Sequence, residues 1–85
     1  MSDAYSPVAN EQLDQLERAD LKLYDEVVDV CEFVLDQPSR ARACSLAMTT
    51  LEGIRYRLPV PGRYPLCVFW APEGPRIEAV FPYSR

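Results

Sequence analysis

The stretch Ile54-Arg55-Tyr56-Arg57-Leu58-Pro59-Val60 decides the fold class. Its apolar residues alternate with polar ones, which predicts a β-strand with one buried face and one solvated face. Pro61-Gly62 follows and predicts a turn. A second strand, apolar on both faces, is predicted over residues 66–70, and a third alternating run covers residues 76–81. The sequence therefore predicts an antiparallel meander in residues 53–85.

The residues before this sheet predict helices. From Asn10 to Asp36 there is neither Gly nor Pro, and Asn10 is the predicted N-cap of a first helix that breaks at Asp20. A second helix is predicted from apolar residues that recur at three- and four-residue steps, and Pro38 ends it. A short third helix is predicted after Ser39, ending at Gly53. The members of its expected apolar face are Cys44, Ala47, Met48 and Leu51.

These patterns predict one α+β domain over residues 1–85. We expect an extended lead over residues 1–9, a helical part over residues 10–52, and a sheet with a tail over residues 53–85. The helical hairpin and the short third helix should pack on a three- to four-stranded antiparallel meander. The packing face should hold Ile54, Tyr56 and Leu58 on the first strand and Ile77, Ala79 and Phe81 on the last. A weak signal for an edge strand lies at Ala4–Val8.

Cysteine usage and hydropathy indicate the compartment. The three cysteines, Cys31, Cys44 and Cys67, form no CxxC pair and stand among apolar neighbours, so we expect buried free thiols in a reducing compartment. Histidine is absent and the thiols lack zinc-ligand spacing, so neither a metal nor a cofactor is expected. No apolar run approaches the roughly 20 residues that cross a bilayer. We therefore expect a soluble, cytoplasmic protein without a membrane partner.

The net charge of −4 hides a division between two halves. Residues 1–36 carry ten acidic residues against Arg18 and Lys22, a net charge of −8, whereas residues 37–85 carry seven arginines against three glutamates, a net charge of +4. The field near a surface follows the local charge. The second half is therefore where a polyanion is expected to bind.

The outer face of the predicted sheet is the first candidate site. Arg55 and Arg57 of the first strand and Arg76 of the third point to the same side, flanking a strand that holds Phe69 and Trp70. Guanidinium groups interleaved with aromatic rings suit RNA, whose phosphates need cations and whose splayed bases stack. The alternative is that these arginines only solvate the outer face of a small sheet.

An acidic stripe on the second helix is the other candidate site. It repeats at helical spacing opposite the apolar face, as the wet side of any amphipathic helix does. Its charge density also fits docking of a basic partner, and both interpretations stay open. The predicted partner-binding residues are Asp25, Asp29, Glu32 and Asp36.

Common catalytic constellations are absent from the sequence. Without histidine, Ser-His-Asp and Cys-His devices are excluded. Gly53, Gly62 and Gly74 each stand alone at a predicted turn, so no Gly-rich phosphate loop exists. Any catalysis would rest on arginine, tyrosine and glutamate.

The order of elements carries a family resemblance. An acidic helical hairpin leads through Leu51-Glu52-Gly53 into Ile54-Arg55-Tyr56-Arg57-Leu58, and the next strand is Arg63-Tyr64-Pro65-Leu66-Cys67-Val68-Phe69-Trp70. This order resembles the RelE/ParE superfamily of bacterial toxins, over roughly residues 10–85. The first strand of that family falls on Ala4–Val8.

The resemblance implies a toxin of a type II toxin-antitoxin system, neutralised by a cognate antitoxin. In the RelE branch, an mRNA interferase, the outer sheet face grips mRNA in the ribosomal A site and promotes attack of a ribose 2′-hydroxyl on the adjacent phosphate. On the matching positions, Arg55 and Arg57 hold phosphates. Arg63, Tyr83 and Arg85 are the implied catalytic residues of such an endoribonuclease, because cations must surround the developing charge and a group must move protons.

Two alternatives stay open. RelE-type enzymes usually carry an arginine after the aromatic that starts this strand, and here Pro65 follows Tyr64. The ParE branch, which poisons DNA gyrase without known nuclease chemistry, implies instead a protein-binding module or an inactive relative. The second alternative is an acidic inhibitor, of the kind phages encode, whose helical stripe docks on a basic nucleic-acid-binding protein. A homodimer is a further candidate assembly, since small domains with exposed aromatics self-associate.

Overall fold

The computed structural model describes residues 4–81, in which three helices precede four strands. The strands form one antiparallel sheet in the order β1-β2-β3-β4, and the helices cover one face of it. The predicted α+β arrangement, helices packed on a three- to four-stranded antiparallel sheet, is confirmed. The elements are α1 Pro7–Ala19, α2 Leu21–Asp36, α3 Pro38–Ala43, β1 Leu46–Thr50, β2 Gly53–Pro59, β3 Cys67–Ala71 and β4 Arg76–Phe81.

Helix α1 begins earlier than predicted, because Ser6 and not Asn10 is its N-cap. The Ser6 Oγ accepts a hydrogen bond from the Ala9 N–H at 3.0 Å. Pro7 occupies the first helical turn, where a missing N–H costs nothing. The Ser6-Pro7 pair was the sequence signal for this start. The extended lead expected over residues 1–9 was therefore wrong for residues 7–9.

The short segment before α1 lies along the last strand. Tyr5 forms a parallel bridge with Ile77 of β4, so the edge strand expected at residues 4–8 is reduced to this bridge. The Ser6 N–H donates to the Ile77 carbonyl oxygen at 2.9 Å, and the Ile77 N–H donates to the Ala4 carbonyl oxygen at 2.7 Å. These bonds attach the start of the chain to the edge of β4.

Helix α2 follows its predicted pattern. The Asp20 carboxylate accepts a hydrogen bond from the Leu23 N–H at 3.1 Å and caps the helix, as expected from the break between the two helices. The helix ends at Asp36, ahead of Pro38. No helix within residues 4–81 is long and apolar enough to cross a bilayer. The face of α2 that packs on the sheet holds Val27, Val30, Cys31 and Val34.

The segment after α3 is a strand, and the helix expected up to residue 52 was wrong beyond Ala43. Leu46–Thr50 pairs with β2 in an antiparallel hairpin. The apolar residues of this segment have helical spacing only by coincidence. The strand is exposed on both faces, so these residues form no buried stripe. The β-branched pair Thr49-Thr50 and the turn at Leu51-Glu52 favour the hairpin. Gly53 opens β2 with φ of +123°, which other residues rarely adopt.

A β-bulge in β4 decides which side chains face the helices. The register shifts by one residue around Glu78, between Ile77 and Ala79. Simple alternation placed Ile77 and Ala79 together on the helix side with Val80 outside. Because of the extra residue, Ile77 and Val80 both join the core, and Ala79 faces outward. The expectation for Ala79 and Val80 was therefore wrong, and the side chain of Phe81 lies outside the part of the chain that the structure describes.

The core lies between the helices and the inner face of the sheet, and Trp70 is its largest fully buried side chain. The Trp70 ring packs on Tyr56, with ring centroids 5.0 Å apart and an interplanar angle of 33°. Its Nε1–H donates to the Ser45 Oγ at 3.1 Å, and the Ser45 hydroxyl donates to the Ala41 carbonyl oxygen at 2.7 Å. Trp70 therefore joins β3 to the end of α3.

The three thiols differ in exposure. Cys31 is fully buried, and burial raises the pKa of its thiol to about 12. Cys44 is exposed because the chain leaves α3 there, and Cys67 is half-buried. The expectation of three buried thiols is confirmed for Cys31 and was wrong for Cys44.

Candidate nucleic-acid interface

The predicted RNA-binding arginines lie on the outer face of the sheet, which turns away from the helices. Arg57 of β2, Phe69 of β3 and Ala79 of β4 stand in direct register. Arg55 lies two residues before Arg57 on the same face of its strand. Arg76 pairs with a β3 residue two positions beyond Phe69, which puts it on this face too. The structure thus brings together the three arginines that the alternation pointed to.

Phe69 is the aromatic residue between the arginines. It is half-buried on the outer face, whereas Trp70 lies in the core on the other side of the strand. Adjacent strands are about 4.8 Å apart, so the guanidinium groups of β2 and β4 can flank the ring. A flat ring among cations is the arrangement on which an unpaired base stacks while its phosphates are neutralised.

The arginines of β2 differ in their surroundings. Arg57 is exposed, and no acidic side chain within residues 4–81 forms an ion pair with it. The Arg55 side chain is only 18% exposed, and its Nε lies 3.9 Å from the Glu78 Oε2. An ion pair of that length holds its partner weakly. Glu78 therefore competes with an incoming anion for Arg55 without blocking Arg57.

Arg76 contains a donor without an acceptor. Its Nε is buried and meets no hydrogen-bond partner within residues 4–81. A buried donor left unsatisfied costs about 1–3 kcal/mol, so an oxygen that reached it would be bound favourably. Because this atom is buried, it is not itself presented to a ligand on the arginine face.

Arg63 is held elsewhere. It lies in the loop between β2 and β3, which backbone hydrogen bonds from Val60 to Leu66 close. Its Nε donates to the Glu26 Oε1 at 2.6 Å and its Nη2 donates to the Glu26 Oε2 at 3.2 Å, a bidentate pair with α2. No pattern in the sequence indicates this pair, whose partners are 37 residues apart. The structure therefore separates Arg63 from the other predicted site residues.

Two of the predicted catalytic residues, Tyr83 and Arg85, lie outside the described residues. They follow β4 in the sequence. Their catalytic role stays a prediction.

The acidic stripe of α2 is solvent-exposed, as predicted. All four of its residues are exposed, on the side of the helix opposite the residues that pack on the sheet. Within residues 4–81, no arginine or lysine forms an ion pair with them. The helix layer thus carries its negative charge on the side of the molecule opposite the arginine face. The residues are Asp25, Asp29, Glu32 and Asp36.

A groove of about 480 Å³ runs beside this stripe, between α2 and the end of β2. Its floor is apolar and Glu26 and Asp29 supply the carboxylates at its rim. Such a groove suits an apolar side chain of a partner whose neighbours are basic. The lining residues are Glu26, Asp29, Val30, Phe33, Cys44, Leu58, Pro59 and Pro61.

The Glu26–Arg63 pair predicts a specific pH dependence of stability. Its hydrogen bond with Arg63 holds the pKa of Glu26 below its ordinary value of 4.5. A carboxylate with a depressed pKa in the folded state stabilises the fold above its unfolded pKa, and this contribution is lost as the pH falls through the folded pKa. We therefore expect Glu26→Gln to lower the free energy of unfolding at pH 7 and to match the wild type at a pH well below 4.5.

Urea unfolding at the two pH values measures this effect. Glu73→Gln is the matched control, because it removes a carboxylate from the exposed turn between β3 and β4. A deficit of Glu26→Gln that stayed constant from neutral to acidic pH would contradict the prediction.

Comparison with known proteins adds no assignment to this geometry. Within residues 4–81, no group of three or more Cys, Asp or Glu side chains is arranged to hold a metal ion. No protein-family model, no curated protein and no solved structure matches this chain.

Proposed function

We propose that this protein is a toxin-like protein of the RelE type, which binds single-stranded RNA on the outer face of its sheet. The observation that carries the proposal is the cluster of Arg55, Arg57 and Arg76 around Phe69 on one face. The order of elements agrees with the resemblance: a short lead beside the last strand, a helical hairpin, and then a meander.

Charge distribution supports an approach of RNA from one side only. The exposed carboxylates of α2 repel a polyanion from the helix layer, while the arginines attract it to the sheet. Arginine binds phosphate with two parallel hydrogen bonds, and the ring of Phe69 offers a base a stacking surface. The net charge of −4 therefore does not oppose binding at this face.

Cleavage would need more than these arginines. The 2′-hydroxyl must lose a proton as it attacks the phosphate, and the leaving 5′-oxygen must gain one. A guanidinium group has a pKa above about 12, so it stabilises the charge but does not move the proton. In this proposal Tyr83 moves protons and Arg85 neutralises the phosphorane. Arg63, bound to Glu26 on the helix side, takes no part.

A second candidate function is favoured by that same ion pair. If Arg63 is the arginine that the RelE-type reaction requires, its capture by Glu26 leaves a molecule that binds without cleaving. The ParE-like alternative, a gyrase inhibitor or an inactive relative, uses the arginine face to contact a protein. The groove beside Asp29 favours the third candidate, docking of a basic protein on the acidic stripe.

Induced expression in a bacterium tests the proposal. Growth and mRNA ends are compared for the wild type, Arg55→Ala/Arg57→Ala and Tyr83→Ala/Arg85→Ala. The matched control is Arg18→Ala/Lys22→Ala, which removes two charges from the exposed side of the helices. We expect growth arrest with codon-phased cleavage in the wild type and the control, and neither in the two test variants.

Other outcomes distinguish the candidates. Arrest with a DNA-damage response and intact mRNA would move the assignment to the gyrase inhibitor. Normal growth with folded, soluble wild-type protein would contradict an active toxin and favour the docking module.

RNA binding by the purified protein gives a second measurement. The plot of log K against log salt concentration should be less steep for Arg55→Ala/Arg57→Ala, with a slope smaller in magnitude by roughly 1.4, because each lost single-strand phosphate contact removes about 0.7 from the slope.

A further inference from the structure

The two edges of the sheet are finished differently. On the β4 edge, residues 4–6 pair with Ile77, and the side chain of Gln12 bonds the backbone of Val80. On the opposite edge, β1 pairs with β2 and with no other strand within residues 4–81. Alternate residues of an antiparallel edge strand direct their N–H and C=O groups outward. The β1 edge is therefore open to another strand.

Strand β1 lacks the devices that protect an edge. Its sequence, Leu-Ala-Met-Thr-Thr, contains no charge and no proline, and its register with β2 is regular. Leu46 is 61% exposed and Met48 is 38% exposed, both on the arginine side of the sheet. Ile54 on the helix side is 51% exposed, because the helices stop short of this hairpin. Apolar surface and unpaired backbone thus coincide here.

We propose that β1 pairs antiparallel with β1 of a second copy of this chain, so that two sheets join into one. Centred on Met48, the pairing sets Met48 opposite its copy, Leu46 opposite Thr50, and Ala47 opposite Thr49. Residues that meet in this register have the same orientation in their own sheets. The two-fold axis is therefore perpendicular to the sheet, and the helices of both copies lie on the same face of the joined sheet.

The charge pattern around β1 favours a second copy and this direction of pairing. Residues 43–51 carry no charge, so two chains of net charge −4 meet here with the least repulsion. Glu52, exposed, lies two residues after the strand. In the antiparallel register the two Glu52 residues lie at opposite ends of the paired strands, whereas parallel pairing would bring them together.

The dimer would give the arginine face a two-fold form. Strands β2 of the two copies would be three strand spacings apart, roughly 14 Å, with Arg55 and Arg57 of both copies on one side. That separation exceeds the Debye length of about 8 Å at physiological ionic strength, so the arginines of one copy repel those of the other little. The dimer itself does not rest on the proposed RNA binding. Only the use of this two-fold face to bind RNA does.

Sedimentation velocity over a wide range of micromolar concentrations, without RNA, tests the dimer independently of the proposed function. We expect the wild type to dimerise reversibly. Met48→Lys sets two ammonium groups against each other at the axis and should leave a monomer at every concentration where the wild type is dimeric. Leu21→Lys is the matched control, because Leu21 is a 59% exposed apolar residue on α2, and it should dimerise as the wild type does.

A charge-pairing series keeps the test decisive if Met48→Lys does not fold. In the proposed register Leu46 lies opposite Thr50 of the other copy, so Leu46→Lys/Thr50→Lys creates two symmetry-related like-charge contacts and should weaken the dimer about fivefold. Leu46→Lys/Thr50→Glu makes the same two contacts attractive and should dimerise as the wild type does. A wild type that stays monomeric overturns the proposal. So does a dimer that the folded Met48→Lys and Leu46→Lys/Thr50→Lys variants leave unchanged.

Discussion

Replacing Trp70 by alanine should lower the free energy of unfolding by about 3–5 kcal/mol, the largest loss expected for any single side chain of this protein. Trp70 is 1% exposed and packs on Tyr56 at a ring distance of 5.0 Å. The truncation leaves a cavity in the core and removes the indole N–H that donates a hydrogen bond to the Ser45 Oγ. Small domains are stable by about 5–15 kcal/mol in total, so this change consumes much of the margin.

Urea unfolding followed by far-ultraviolet circular dichroism measures the effect, since Trp70 is the single tryptophan and its own fluorescence disappears with the substitution. The melting temperature should fall by at least about 12 °C, because each kcal/mol shifts it by roughly 4–8 °C in a domain of this size. Tyr64→Ala is the matched control, since that aromatic side chain is 96% exposed. A loss below about 1 kcal/mol for Trp70→Ala would contradict the packing described for the core.

Replacing Gln12 by alanine should cost about 2–4 kcal/mol, although the side chain is polar and lies on a helix. Its Oε1 accepts a hydrogen bond from the Val80 N–H at 2.7 Å, and its Nε2 donates to the Val80 carbonyl oxygen at 3.3 Å. Val80 is fully buried, so truncation leaves both backbone groups without a partner. Each unsatisfied group costs about 1–3 kcal/mol unless water enters.

Gln15→Ala is the matched control, because it removes the same side chain from an exposed position of α1. We also expect Gln12→Glu to lose part of the stability, since the carboxylate still accepts from the Val80 N–H but offers no donor to its carbonyl oxygen. Hydrogen exchange at the Val80 amide should accelerate in Gln12→Ala and not in Gln15→Ala. Equal unfolding free energies for the two alanine variants would contradict the role of Gln12.

The sequence predicted those parts of the fold that bury a regular face. The apolar spacing of α2 is visible because Val27, Cys31 and Val34 all face the core. The alternation of β2 is visible because Tyr56 and Leu58 face the core while Arg57 does not. Burial on one face leaves a periodic signal, and these elements have one.

The elements that were missed carry no such signal. Strand β1 is exposed on both faces, so its residues have no reason to alternate, and Met48 there matched a helical spacing by coincidence. The bulge at Glu78 adds a residue to β4 without leaving a break in the sequence. It exchanges the faces of Ala79 and Val80, which only the pairing with β3 reveals.

The candidate site was likewise predictable only in part. The placement of Arg55, Arg57 and Arg76 on one face followed from period-two alternation alone. The capture of Arg63 by Glu26 could not be predicted, because the pair depends on how α2 lies against the loop between β2 and β3. The choice of Phe69 over Trp70 as the aromatic of the face likewise depends on strand register, which fixes the direction of every side chain on a strand.

The paired β4 edge also sets an order on the synthesis and folding of the protein. The hydrogen bond from the Ser6 hydroxyl to the Glu78 carbonyl oxygen joins residues 72 positions apart. A ribosome that adds roughly 5–20 residues per second needs about 4–14 s to cover that distance. Throughout that interval α1 and α2 can form and pair, but Gln12 has no strand to bond.

The β1–β2 hairpin is therefore made before the strand that completes the sheet, and its apolar residues stay unprotected until β3 and β4 join it. Contacts between distant parts of a chain also slow folding in free solution, because a long loop must close before they form. A folding chain of this protein is thus most vulnerable to association before β4 joins the sheet, and residues 4–6 are placed only after it has done so.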